Sequence, residues 1–432
     1  MGEYCFRRLF RNCTNLILPP ELPATKLVSS CYYQMFAGCT SLTQAPELPA
    51  TALTSNCYYQ MFYNCISLIT APRLPATTLA RSCYEGMFQR CQSLTQTPLL
   101  PSTTLANSCY RYMFNRCISL ILPPELPATT LAGSCYCYMF FECTNLATAP
   151  ELPATMLAEA CYLGMFTSCT SLTTVPRILP ATTLASQCYN IMFKGCTSLT
   201  SIPELPATTL ASHCYREMFG GCTNLTTAPA LPATTLVEYC YYKMFSGCIN
   251  LATAPELSAT TLTENCYNSM FNGCTSIKLS TTQTGDYTTN YRIPSGTAMG
   301  TAPTNALTDM FTNTGGTFTG TPTINTTYYT SNEIVYPLTF TVDSNTQEYL
   351  IFVQDTPTSI STNQTITFRV RADTTQGDRY ITAVSQLGYT QVMVTYLNYM
   401  GDYAEYEVTI AAPTGCDVIH LSCPRKANPT PY

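Results

Sequence analysis

The stretch CYYQMFAGCTSLTQAPELPAT, Cys31 to Thr51, begins again at Cys57 as CYYQMFYNCISLITAPRLPAT. Two cysteines mark every copy. The first falls at Cys5, Cys31, Cys57, Cys83, Cys109, Cys135, Cys161, Cys188, Cys214, Cys240 and Cys266, and the second follows eight residues later, from Cys13 to Cys274. The period is 26 residues, with one unit of 27 where PRILPATTLA (176–185) replaces the usual segment. Eleven copies at this period dictate a solenoid. One unit is too small to bury its own apolar face, so it buries that face against its neighbours.

Within a unit, Cys57, Met61, Phe62 and Cys65 follow an i, i+4, i+5, i+8 pattern. That pattern predicts a short helix of about two turns with these residues on one face. Gly38, Asn64 and Gly195 precede second cysteines, as suits a helix C-terminus. The next stretch, SLTxA, reads as a short strand with Leu42 and its equivalents Leu16, Leu68 and Leu94 pointing inward. Pro46 and Pro49 remove backbone donors, so PELPAT is expected to run extended outside any central ladder. Stacking then builds ladders of Leu, Met, Phe and Cys. With strands about 4.8 Å apart, eleven units make a rod on the order of 50 Å.

This unit resembles that of the BspA-like leucine-rich repeat proteins of bacteria. CTSLTQAPEL (39–48) and the Met35–Phe36 pair fit the family's cysteine, leucine and small-residue-plus-Phe slots, and MFAGCTSL (35–42) and MFYNCISL (61–68) match the MF-x-x-C-x-S-L variant directly. The resemblance covers roughly residues 3–277. The unit here is longer than the common form and adds the LPAT segment, which bears on the shape of the outer face. The resemblance implies an α+β leucine-rich repeat solenoid, one short strand and one short helix per unit. It also implies a cell-surface protein that adheres to host or neighbouring-cell components. Family ligands vary too much to carry over.

The solenoid is assigned to residues 1–277. From 278 to 330 the pattern dissolves into Thr, Gly, Asn and Ser, with one echo, LTDMFTNTGGTFTGTP (307–322). Leu307, Met310, Phe311 and Phe318 give this stretch something to bury, so it is read as a degenerate unit capping the stack, with a flexible linker as the alternative. From 331 to 415 the period changes. VYPLTFTV, YLIFVQD, ITFRVRAD, YITAVSQL, QVMVTYLN and AEYEVTIA alternate apolar and polar residues. Six such runs predict an antiparallel β-sandwich of the immunoglobulin-like kind, without the Cys–Trp–Cys hallmark. Residues 416–432 read as a further strand and a tail.

Composition removes several function classes. Only 10% of residues are charged, the net charge is −5, and no Lys/Arg-rich run occurs. That excludes nucleic-acid partners and docking on anionic membranes. No run approaches 18 apolar residues, so no direct membrane insertion is expected, and MGEYCFRRLF carries no signal-peptide pattern. EYCFRRLFRNCTNL already matches SSCYYQMFAGCTSL. A chain that opens inside a unit points to a fragment, a trimmed chain or an end covered by a partner.

The 25 cysteines admit three readings. C-x7-C is not a zinc spacing and only two His occur, so no metal or other cofactor is expected. Cysteines eight apart on a helix lie about 12 Å apart, beyond disulfide reach. A kink after Phe62 would rescue an intra-unit bridge, and a Cys416–Cys423 pairing stays open. The preferred reading is two ladders of reduced, buried thiols, with Cys137 outside both. Nothing supports an enzyme. No catalytic motif appears, and His213 beside Cys214 fills a slot that holds Ser, Asn, Ala or Tyr elsewhere. The column containing Glu21, Glu47, Glu125 and Glu151 also holds Arg73, Leu99 and Ala230, which describes a solvated edge rather than a calcium site.

Variation concentrates at the two residues before and the two after Met-Phe. Large side chains fall there: Tyr63, Arg90, Tyr112, Arg116, Tyr138, Phe141, Leu163, Ile191, Lys194, Arg216 and Tyr242. Exposed Tyr and Arg are enriched at binding hot spots, and 90–141 is the densest patch; neutral drift on a solvated face is the competing explanation. The expectation is a non-enzymatic adhesion protein presenting this face to a protein or glycan on a cell surface. One alternative is a bacteriophage virion appendage (a tail or head fibre) assembled through the C-terminal domain. Another is a carbohydrate-binding accessory module.

Overall fold

The computed structural model describes residues 2–259, 261–295, 303 and 305–331, together with seven strands between 340 and 422. The chain divides into two compact units, 1–283 with 290–329, and 284–289 with 330–432.

The repeats stack as expected, but the predicted helix is absent; among the described residues there is no helix of any kind. A ladder of overlapping β-turns stands in its place. In the unit of Cys31, alternate amides bond three residues back: Cys31 to Val28, Tyr33 to Ser30, Met35 to Tyr32, Ala37 to Gln34 and Cys39 to Phe36. The intervening amides donate to the next unit: Ser30 to Ser55, Tyr32 to Cys57, Gln34 to Tyr59, Phe36 to Met61 and Gly38 to Tyr63. Every amide in the segment is thereby satisfied, half within a layer and half between layers. Each fourth residue takes a left-handed φ, as at Ser30 (55°), Gln34 (52°) and Gly38 (78°), the conformation a type II turn requires at its third residue.

The i+4, i+8 spacing fits both structures over so short a run. A helix advances 3.6 residues per turn, so its columns drift; the turn ladder repeats every four residues, so Cys57, Met61 and Cys65 form one straight buried column and Tyr58 and Phe62 another. Gly38, Asn64 and Gly195 were informative for a different reason than helix termination. They are the third residues of the last turn, at φ 78°, 59° and 73°.

The predicted strand reduces to single parallel bridges between neighbouring units, Gln44 with Thr70 and Thr148 with Thr174, and similar bridges, such as Thr183 with Thr209, form in the PATTL segment where none was expected. PELPA is extended, with Pro46, Leu48 and Ala50 buried and Glu47 and Pro49 exposed. The core holds the expected Cys, Met, Phe and Leu ladders and one more, Tyr32 to Tyr267, directly after the first cysteine. Its rings stack at 5.7–5.9 Å. Second-column thiols donate to the Phe carbonyl of the preceding unit, Cys65 to Phe36 at 3.1 Å and Cys91 to Phe62 at 3.2 Å among them.

The stack ends in the echo segment. Amides of Tyr267, Ser269, Phe271 and Gly273 bond to Ala306, Thr308, Met310 and Thr312. Phe311 continues the Phe ladder at 5.4 Å from Phe271, and Tyr291 and Phe318 pack edge-on against it. Leu307, Met310 and Phe311 are buried. Strands β1 (Leu279–Ser280), β3 (Thr327–Ser331) and β2 (Tyr287–Arg292) form a sheet in that order.

All seven C-terminal runs contain strands: β4 (Phe340–Val342), β5 (Leu350–Phe352), β6 (Thr365–Asp373), β7 (Thr382–Ser385), β8 (Gln391–Tyr399), β9 (Tyr403–Ala411) and β10 (Ile419–Ser422). They form two sheets, β4-β10-β7 and β5-β6-β9-β8. The second is antiparallel, with a register shift between Tyr396 and Asn398. In the first, β10 runs parallel to β4, a departure from the all-antiparallel expectation. Cys416 and Cys423 lie outside the described residues.

Candidate recognition face

The turn ladder sorts each unit by position after the first cysteine. Positions 1, 4, 5 and 8 are core; positions 2, 3, 6 and 7 form the outer face. Positions 3 and 7 are the left-handed ones. The eleven candidates occupy all four outer columns. Leu163, Arg216 and Tyr242 are at position 2, Tyr112, Tyr138 and Ile191 at position 3, Tyr63, Phe141 and Lys194 at position 6, and Arg90 and Arg116 at position 7. They are less free than the sequence suggested. Lys194 is exposed and the other ten are half-buried, some of them against a side chain of the next layer, as Tyr112 on Tyr138 and Arg116 on Glu142.

Two clusters result. In the middle of the stack the Tyr112 and Tyr138 rings stack at 5.4 Å and Phe141 meets Tyr138 edge-on at 5.6 Å. The Arg111 guanidinium lies 4.8 Å from the Tyr112 ring, and Arg116 pairs with Glu142 at 2.8 Å beside Phe141. A side chain at position 164 would collide with the Tyr138 ring, its Cβ 2.3 Å away, so Gly164 makes room for it. Glu85 faces Arg111 at 4.0 Å; burial raises its carboxyl above the usual range, against a Ser82 hydrogen bond and the Arg111 charge. Further along, Lys194 and Arg216 both pair with Glu217, and Arg216 and Lys243 lie over the Tyr242 ring. Leu163 and Ile191 form the apolar stretch between the clusters.

The description BspA type leucine rich repeat region (6 copies) belongs to the family model that matches residues 1–147 and again 137–284. The chain belongs to this BspA-type leucine-rich repeat family. No curated protein and no solved structure matches it. BspA-type repeats commonly serve as non-enzymatic scaffolds for adhesion and surface binding.

The BspA-type face also contains residues outside the eleven candidates. Tyr33 and Tyr59 stack at 4.5 Å. Gln34, Gln60 and Gln89 form a hydrogen-bonded file. Their signal was identity in consecutive units: both copies quoted at the outset read CYYQ. His213 stacks on Tyr239 at 4.7 Å and contacts Ser212 at 2.6 Å, while Cys214 is buried; burial lowers the imidazole's pKa, helped by Arg216. Among the described residues no three His, Cys, Asp or Glu side chains converge as a metal site, and no helix is long and apolar enough to cross a membrane.

Proposed function

We propose that the outer face of the turn ladder is the recognition surface of a non-enzymatic adhesion protein that binds a protein or glycan on a cell surface. One observation carries this reading. Arg90 (φ 64°), Tyr112 (56°), Arg116 (61°), Tyr138 (53°) and Ile191 (49°) stand on left-handed backbone. At the same positions other units carry Gly38, Gly86, Gly164, Gly195, Gly221, Gly247 and Gly273. A large L-residue there costs roughly 1–2 kcal/mol that glycine does not. Drift toward stability favours glycine or asparagine, so large side chains held at a cost mark use. The test replaces Arg90, Tyr112, Arg116, Tyr138 and Phe141 with Ser. Attachment to target cells should fall with the melting temperature kept, while changes at Thr95 and Thr148 leave attachment intact. Undiminished attachment by the five-fold variant would mean that the contact surface lies elsewhere.

The C-terminal strands are read as an immunoglobulin-like module that displays or anchors the solenoid. Strand order supports this. With β5, β6, β7, β8, β9 and β10 taken as A to F, the sheets read A-B-E-D and C-F, as in an immunoglobulin sandwich, with β4 in the place of G. A second reading, a bacteriophage virion appendage, is favoured by the buried thiols. They act as hydrogen-bond donors to backbone, a role that requires them reduced and suits assembly in a reducing cytosol.

A further inference from the structure

Beside the first units, the outer face carries an open polar depression between Asn12 on one side and Tyr63 and Asn64 on the other. It exists because position 6 of the second unit is Ala37 and position 7 is Gly38, where neighbouring units carry larger residues. Along it runs a file of amides. Arg8 Nε donates to Gln34 Oε1 at 2.8 Å, Gln34 Nε2 to Gln60 Oε1 at 2.6 Å, Gln60 Nε2 to Gln89 Oε1 at 3.4 Å and Gln89 Nε2 to Asn115 Oδ1 at 3.3 Å. The file passes from position 3 to position 6 at Gly86, whose Cβ would stand 2.9 Å from Gln60 and 3.2 Å from Gln89. Arginine only donates, so Arg8 fixes the direction of every amide after it.

We infer that this depression binds an uncharged, hydroxyl-rich glycan laid along the stack; the inference rests on the recognition reading above and names a ligand for one part of that face. Each glutamine spends one N–H and one lone pair within the file. A second N–H and a second lone pair remain on each, one donor and one acceptor in each of three successive layers. A sugar hydroxyl both donates and accepts, so a chain of them matches that array. An anionic ligand would call for clustered cations, and Arg11 is the one charged residue lining the depression. An apolar peptide would call for an apolar lining, which Asn12, Asn64 and the glutamines do not supply. Tyr63 adds an aromatic side chain at the rim.

The experiment presents the full chain to a slide printed with neutral oligosaccharides and their sialylated and sulfated counterparts. Two variants accompany it. Gln34→Met, Gln60→Met and Gln89→Met together keep the shape and delete the array. Ala37→Tyr fills the depression with the residue type the next unit carries at Tyr63, so the frame accommodates it even where the triple variant folds poorly. Binding to neutral spots that drops tenfold or more in both variants, at unchanged melting temperature, supports the inference. A preference for acidic spots, or neutral binding that both variants retain, overturns it. Absence of glycan binding alongside cell attachment that the five-fold Ser variant abolishes also overturns it and leaves the recognition face standing. Cell attachment indifferent to the five-fold variant removes that face instead.

Discussion

Ile191 and Leu163 are two half-buried aliphatic residues on the same face that should answer oppositely to the same substitution. Ile191 sits at φ 49°, and Leu163 has no left-handed strain. Both contribute only backbone to the inter-layer bonds: the Ile191 amide donates to Arg216, and the Leu163 carbonyl accepts from Tyr138. Glycine preserves those bonds. At position 163 it removes about half of the 1.5–3 kcal/mol that full burial of such a side chain contributes. It adds roughly 0.5–1 kcal/mol for the freedom glycine loses on folding. Leu163→Gly should therefore destabilise by about 1–2.5 kcal/mol. Ile191→Gly carries the same two losses but releases roughly 1–2 kcal/mol of left-handed strain. Its net change should fall within about 1 kcal/mol of the parent. The assay is urea unfolding of both variants and the parent, accepting midpoints only where the slopes agree. If Ile191→Gly loses as much as Leu163→Gly, the left-handed positions carry no strain and the argument for functional side chains there fails.

Leu94 is fully buried in the Leu ladder, so Leu94→Ala should cost about 2–5 kcal/mol; a shift below about 1 kcal/mol in denaturant unfolding would show that the slot relaxes freely. The thiols give a pH prediction. Burial raises Cys39 to about 11 and Cys83 to about 12 from an ordinary 9.0. The folded chain therefore keeps protons that the unfolded chain gives up. Stability should be whole below pH 9 and decline as pH rises from 9 toward 11 and 12. Thermal melts across that range check it, and a flat profile refutes it. In the native chain Cys31 to Cys274 should resist iodoacetamide, and on unfolding without reductant they should label; mass spectrometry finding linked pairs within units would exclude the reduced ladders.

Period, unit boundaries and the inward Cys, Met, Phe and Leu were legible because a solenoid writes each core position eleven times. The conformation was not. Cys57, Met61, Phe62 and Cys65 satisfy a helix and a turn ladder equally over two turns. What separates them is the residue at positions 3 and 7 and before the first cysteine, where Gly38, Asn64, Gly86, Gly164 and Gly195 recur. Glycine and asparagine are poor in a helix interior and apt for left-handed turns. The Tyr ladder escaped because Tyr32 and Tyr33 are adjacent and alike in sequence, while only Tyr32 points into the stack. The candidate side chains occupy the outer columns but are less free than their spacing implies, ten of the eleven being half-buried. Side-chain pairing between layers, such as Arg116 with Glu142 or Gln34 with Gln60, links residues 26 apart and leaves no local trace.

That pairing changes how the face should be understood. In a helix-based repeat the outer side chains would be separated by helix packing distances of about 8–10 Å. Here the layers are joined amide to carbonyl, and outer rings stack at 4.5–5.4 Å. Neighbouring outer residues therefore touch, and a change in one unit alters its neighbours' contacts. Effects of mutations within one cluster should couple, as residues in contact do. Among the described residues no side-chain contact joins the Arg111–Phe141 cluster to the Arg216–Tyr242 cluster across Leu163 and Ile191, so their effects should add. The backbone beneath both is one continuous ladder that no outer substitution needs to disturb. A chain built this way can exchange its contact residues, cluster by cluster, while Cys, Tyr, Met and Phe hold the frame.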